Sequence, residues 1–226
     1  MKFLRISQFL TWPIVYVYFH SLYNIRINGR DNLKKITKPF IIIANHSNFS
    51  DSFLFRLILG FNTPHLPLRF MAVNRFSWKW LNFLASIGVI AFIYSLFGVF
   101  IVVPGRGIKK NLVEAKEIIK DKGNIVIFPE GKIVKGHTIA PFRPGASVLA
   151  SETGAPILPV SIRTNGRLWL RRELTVNIGE PVDVPANAAY DRMSKMLYDK
   201  IVKLYNVRKE EKSGAHGTVV EVPLNG

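Results

Sequence analysis

Residues 45–51 read Asn45-His46-Ser47-Asn48-Phe49-Ser50-Asp51, a histidine five positions ahead of an aspartate. On a continuous helix, residues five apart point about 140° away from each other, so the pair meets only across a turn. The sequence supplies one. An apolar run ends at Asn45, a polar Ser-Asn pair follows, and Ser50 is a candidate N-cap for the helical SDSFLFRLIL. Across such a turn Asp51 can hold one imidazole nitrogen while the other faces a substrate, as a general base and its orienting carboxylate do. The same spacing also fits a loop histidine beside a helix-capping aspartate. Downstream, Phe128-Pro129-Glu130-Gly131 closes an IVIF run. Proline and glycine force a turn there, which exposes Glu130 at the carboxyl end of a strand, where open α/β sheets bind ligands. Phe142-Arg143-Pro144-Gly145-Ala146 sets a cation before a helix start, and Ile157-Leu158-Pro159-Val160 reads as an apolar strand.

The elements that must position these residues can be read from periodicity. Residues 39–45 (PFIIIAN) and 125–129 (IVIFP) are short β-branched runs of the kind buried in parallel sheets. Further strands are predicted at 156–162 and around 174–179. Ile108, Leu112, Ala115 and Ile119 recur at helical spacing before Gly123, and Met193, Met196, Leu197, Ile201 and Leu204 mark a last amphipathic helix. Strands alternating with helices predict a mixed, mostly parallel α/β sheet flanked by helices. The chain divides into a membrane-surface anchor at 1–24, a domain at 25–206 and a solvated tail at 207–226. The anchor is expected because Lys2 and Arg5 accompany Trp12, Tyr16, Tyr18 and Phe19 around Pro13, with no small-residue cleavage site after them. A core helix is the alternative reading. Residues 81–103 are an uncharged run long enough to cross a bilayer, and Gly88, Gly98 and the FIVV ending also allow a helix followed by a strand.

The 226 residues are 48% hydrophobic, enough to bury a core and too apolar for wholesale disorder. No cysteine is present, which removes disulfides, thiolate metal sites and cysteine nucleophiles. His20, His65, His137 and His216 lie far apart, and none pairs with a carboxylate at ligand spacing, so no metal is expected. The net charge of +16 points to an anionic partner. Eleven of the cations lie in residues 1–103 against two acids, and they flank greasy segments. That distribution suits an anionic membrane surface better than nucleic acid, for which no polar stretch interleaves aromatic with basic residues.

Taken in order, these blocks resemble the glycerolipid acyltransferases of the 1-acylglycerol-3-phosphate acyltransferase family, over roughly residues 25–185. That family carries an N-H-x4-D block, an arginine-bearing second block, an F-P-E-G block and a proline-containing apolar fourth block. The resemblance implies that His46 and Asp51 are the catalytic pair. It implies that Glu130, Gly131, Lys132, Arg143 and a second-block Arg106 contact substrate. Asn45, Phe128, Pro129, Gly145 and Pro159 are then structural or acyl-site residues. It further implies an O-acyltransferase that moves an acyl chain from acyl-CoA or acyl-carrier protein to a lysophospholipid, with 1-acylglycerol-3-phosphate giving phosphatidic acid. No cofactor is needed beyond that co-substrate, because a thioester carries its own leaving group. An imidazole of ordinary pKa, ~6.5, can take the attacking hydroxyl's proton at neutral pH. The chain also departs from the pattern. Lys132 and Ile133 follow F-P-E-G where a small hydroxyl residue and an arginine are common, and about ten extra apolar residues separate the second block's leading glycine from Arg106. Another lysolipid or aminoacyl-lipid acceptor, or a noncatalytic lipid-binding protein of the same fold, is the alternative. The expected location is the cytoplasmic face of the cell membrane, where both acyl donors are found.

Overall fold

In the computed structural model, residues 2–36, 39–61, 63–73, 88–103, 105–166, 171–186 and 189–214 are described. Helices α1 (Lys2–Leu10) and α2 (Trp12–Leu22) lead into strand β1 (Tyr23–Asn28) and a 3-10 turn (Arg30–Lys35). Strand β2 (Ile41–Ala44), helix α3 (Asp51–Leu59) and strand β3 (Leu68–Val73) follow. After the undescribed residues come α4 (Val89–Phe97), β4 (Val99–Val102), α5 (Ile108–Asn111), α6 (Val113–Lys120) and β5 (Asn124–Ile127). The last described elements are α7 (Gly145–Thr153), β6 (Ile157–Asn165), β7 (Arg172–Ile178) and α8 (Tyr190–Gly214).

The strands form one sheet in the order β1-β7-β6-β2-β5-β3-β4. All neighbouring pairs are parallel except β6 with β7. This is the mixed, mostly parallel sheet that the alternating runs predict. Strand β2 lies between β6 and β5, and its alternation divides the core. Ile42 and Ala44 join the cluster under α2 and α3, whereas Ile41 and Ile43 join the cluster under α6, α7 and α8. A strand buried on both faces has no polar side to show, which is why IIIA reads as an unbroken apolar run.

Several boundaries differ from expectation. The helix predicted from Ile108 bends at Leu112, which ends α5 and starts α6. Of the long uncharged run, residues 81–87 lie outside the described residues. From Gly88 onward it is helix, then strand, because Gly88 (φ +80°) and Gly98 (φ +72°) take left-handed turns at the two ends of α4. Among the described residues no helix is long and apolar enough to cross a membrane. Residues 207–214, expected in the tail, continue α8. Arg, Lys and Glu are good helix formers, and an amphipathic stripe is not required to extend a helix already docked. Residues 215–226 lie outside the described residues.

Candidate active site

His46 lies just past the carboxyl end of β2, flanked by the ends of β5 and β6. Asn45 fixes that exit. It is 3% exposed, its amide donates to the Ile162 carbonyl at 2.8 Å and its carbonyl accepts from the Ile162 amide at 2.8 Å. One buried side chain thus continues the β2–β6 ladder after the backbone has left it.

The turn between His46 and Asp51 is organised by Asp51 rather than by Ser50. Ser50 occupies the N-cap of α3 but makes no side-chain capping bond. Asp51 Oδ2 accepts the Ser47 and Asn48 amides, each at 2.8 Å, and lies 3.2 Å from His46 Nδ1. Three donors on one carboxylate oxygen fix both the loop and the ring. An ionised carboxylate only accepts, so Nδ1 carries the proton and Nε2 is left as the basic nitrogen. Phe128 stacks on the imidazole with centroids 4.0 Å apart at 17° and fixes its plane.

Glu130 takes a different position from the one expected. It is 3% exposed, and its two oxygens accept the His46 amide and the Ala140 amide, each at 2.7 Å. With both oxygens engaged and the group buried, it clamps the loop that carries the imidazole. Burial pushes its carboxyl above the usual carboxylate range, against the opposing pull of those two amides and of the His46 charge. The segment after it closes on the same residue, since the Val134 amide donates to the His46 carbonyl at 2.8 Å.

Gly131 has φ +68°, and an added Cβ would lie 2.9 Å from Arg143 Nε. The glycine therefore lets the Arg143 side chain lie across the turn, while the Arg143 amide donates to the Pro129 carbonyl at 2.8 Å. Arg143 itself is exposed at the edge where His46 sits. Lys132 is exposed beside it. Arg106 is not brought to the pair. It follows β4, the edge strand, three strand spacings or about 14 Å from β2. It is exposed on the same rim of the sheet. Pro159 is buried on β6 opposite Ile43, well below His46. Its carbonyl accepts from the Gly179 amide at 2.8 Å, just beyond the last register pair of β6 with β7, so the donor that proline lacks falls at the end of that ladder. Gly145 starts α7 with open space around it, so neither its backbone angle nor a neighbour requires glycine there.

An aromatic series whose members the motifs do not specify leads away from the pair. Phe49 is 70% exposed and touches Phe53 edge-on at 6.1 Å, and Phe53 touches Phe97 of α4 at 5.2 Å. The sequence shows two of these phenylalanines near the histidine, but only the tertiary fold brings Phe97 to them.

Residues 24–163, well over half of the chain, match the Acyltransferase family. The chain belongs to the Acyltransferase family. A chloroplastic 1-acyl-sn-glycerol-3-phosphate acyltransferase of Brassica napus is 26% identical over 162 residues, which are 70% of this chain and 42% of that protein. The relative named 1-acyl-sn-glycerol-3-phosphate acyltransferase from Borreliella burgdorferi is 25% identical over 191 residues, 79% of this chain and 70% of that one. The crystal structure of PlsC, the 1-acyl-sn-glycerophosphate (LPA) acyltransferase of Thermotoga maritima, superposes with a TM-score of 0.60 at 21% identity. It covers 92% of this chain and 79% of the other, and at that identity the likeness shows the fold. This acyltransferase fold places its His46–Asp51 pair where parallel sheets of this type bind ligands.

Proposed function

We propose that the chain is an O-acyltransferase that moves an acyl group from a thioester donor, acyl-CoA or acyl-carrier protein, to the free hydroxyl of 1-acylglycerol-3-phosphate. The observation that carries this reading is the 3.2 Å contact between His46 Nδ1 and Asp51 Oδ2, with Nε2 left as the base. His46 removes the hydroxyl proton as the oxygen attacks the thioester carbonyl. A C–O bond forms, the C–S bond breaks, and the imidazolium returns its proton to the departing thiolate. Asp51 holds the tautomer and offsets the imidazolium charge. Atoms balance without a covalent enzyme intermediate.

Arg143, lying across Gly131 at the same edge, supplies a cation for the acceptor's phosphate, with Lys132 beside it. The relatives named above act on this acceptor class by name, which supports the assignment. A noncatalytic lipid binder would have no use for a carboxylate bonded to three donors around one imidazole. The aromatic series from Phe49 to Phe97 offers an apolar route for an acyl chain from α4.

The protein works at a membrane surface. Phe3, Leu10, Ile14 and Val17 on α1 and α2, and Phe92 on α4, are each more than 60% exposed. Anionic lipids then attract the flanking cations, and the cytoplasmic face supplies the donors. The deciding experiment offers purified protein in detergent both donors against a panel of lysolipids and reads the products by mass spectrometry. Phosphatidic acid is expected as the main product. A different acylated lipid would reassign the acceptor, and no acyl transfer to any lysolipid would overturn the reading.

A further inference from the structure

We propose that Arg172, together with the hydroxyls of Tyr23 and Ser50, forms a second phosphate-binding subsite beside the His46–Asp51 pair, on the opposite side from Arg143. The proposal rests on the acyltransferase reading, in which both substrates carry phosphate.

The sheet register puts Arg172 there. Along β7, Leu174, Val176 and Ile178 face the cluster under α2 and α3, so Arg172 at the start of the strand faces the same side. On β2, Ile42 and Ala44 face that side too, and His46 continues their alternation against Phe128. Strands β2 and β7 are separated by β6 alone, so the lateral distance is two spacings, about 10 Å. Asn165 pairs with Glu173, which sets Arg172 four residues beyond Ile162, or about 13 Å further up the sheet than the Asn45 exit. An interval of that size leaves room for a glycerol-phosphate-sized group between the arginine and the imidazole.

The surroundings of Arg172 suit an anion. Its Nε is buried and has no hydrogen-bond partner. Among the described residues the side chain makes no ion pair. Arg56 shows the contrast, since that buried guanidinium is taken up by the backbone carbonyls of Gln8, Gly60 and Phe61. The β1–β7 register pairs Arg172 with Tyr23. The Tyr23 hydroxyl lies beside Ser50, the residue before Asp51, and feels the charges of both Arg172 and Asp51. Burial, ahead of those charges, pushes the Tyr23 hydroxyl up, so it remains a proton donor at neutral pH. Gly166 lies against the Arg172 backbone with φ +116° and Arg171 is left-handed at φ +53°. Gly166 and Arg171 thus take backbone angles that are unfavourable for most residues on either side of the undescribed residues 167–170. A guanidinium with an unused buried donor, beside a phenol and a hydroxyl, is the donor set a phosphate recruits.

Two sources can supply that phosphate, the acceptor's monoester or the phosphate that ends the donor's pantetheine arm, a diphosphate in acyl-CoA and a phosphodiester in acyl-carrier protein. Steady-state kinetics of Arg172→Ala, Arg172→Lys and Tyr23→Phe, each substrate varied in turn, tell them apart. If the acceptor's phosphate sits here, Arg172→Ala raises the KM for lysophosphatidic acid 10- to 100-fold, leaves the KM for acyl-CoA unchanged and spares transfer to monoacylglycerol, which has no phosphate. If the donor's sits here, the pattern is reversed. Arg172→Lys recovers part of the loss and Tyr23→Phe shows a smaller version of the same shift. An unchanged KM for both substrates, or equal losses for lysophosphatidic acid and monoacylglycerol with the donor affected too, overturns the subsite. Should the wild-type chain acylate no lysolipid, the acyltransferase reading fails first. The subsite is then read from thermal shifts with glycerol 3-phosphate and with CoA. Stabilisation of the wild type but not of Arg172→Ala keeps it, and identical shifts in the two proteins remove it.

Discussion

At the scale of the residue, the imidazole is held by its backbone and its partners independently. The His46 amide goes to Glu130 and its carbonyl to Val134, whereas the ring goes to Asp51 and Phe128. Removing the ring therefore leaves the loop tied. His46→Ala is expected to lower acyl transfer by about 10²–10⁴ while the melting curve stays within a degree or two of wild type. Turnover near the wild-type rate would refute the mechanism. Asp51 serves both functions, so Asp51→Ala should cost stability as well as rate, because the Ser47 and Asn48 amides lose their acceptor. Glu130 gives a pH signature. Its carboxyl is held above the ordinary 4.5, so the folded chain keeps that proton to higher pH than the unfolded chain does. Stability from this group is complete below the ordinary value and is lost as pH rises through the raised one. Wild type should accordingly lose ground to Glu130→Gln in denaturant midpoints as pH rises through that window. The variant itself should be slower at every pH, since an amide has one acceptor for two backbone donors. Parallel stability profiles would show that Glu130 is not held in the way described.

At the scale of the element, α8 acts on the site without touching it. Tyr198 donates to the Ile139 carbonyl at 3.3 Å, and the Tyr205 hydroxyl lies 3.4 Å from His137 Nδ1. Both contacts hold the segment between Gly131 and Ala140 that closes over His46. The double variant Tyr198→Phe, Tyr205→Phe is expected to lower kcat several-fold with KM little changed, at about 1 kcal/mol per lost neutral hydrogen bond. A rise in KM with kcat intact would assign these tyrosines to substrate binding instead. This level is also where the sequence falls short. The β-branched runs at β2 and β5 and the amphipathic stripe of α8 were legible because period and composition are local. The His46–Asp51 turn was legible because a strand end, a polar pair and a helix start adjoin. Glu130 is legible as a turn residue at the end of β5 but its burial is not, because a carboxylate between two amides 84 and 10 residues away has no local signature. Arg172 has no local signature for a similar reason: only the antiparallel pairing of β7 with β6 sets it on the side of the sheet that His46 shares.

At the scale of the molecule, the amino-terminal helices are part of the acyltransferase core as well as an apolar surface. Gln8 on α1 is buried. Its amide donates to the Leu68 carbonyl at 2.6 Å and the Phe97 carbonyl at 3.1 Å, and its carbonyl accepts the Leu68 amide at 2.9 Å. One side chain thus ties α1 to the start of β3 and the end of α4. Arg56 on α3 donates to the Gln8 backbone carbonyl at 2.7 Å, and burial lowers its guanidinium to about 10, which leaves it charged at neutral pH. The faces turned outward are different residues. Phe3, Leu10, Ile14, Val17 and Phe92 remain exposed, and Trp12, Phe61 and Tyr16 form an aromatic group at the same end. Folding and lipid binding therefore separate by mutation. Gln8→Leu should destabilise the whole domain, because the Leu68 amide loses its buried acceptor, at about 1–3 kcal/mol for a buried group left unpaired. Ile14→Asp with Phe92→Asp should leave the melting temperature unchanged and sharply reduce flotation with anionic vesicles, since burying a charge in the interface opposes the apolar gain. Raising the salt should weaken wild-type binding further through the flanking cations. Undiminished flotation of the double aspartate variant at low salt would mean that the exposed face of α1, α2 and α4 is not the surface that meets the membrane.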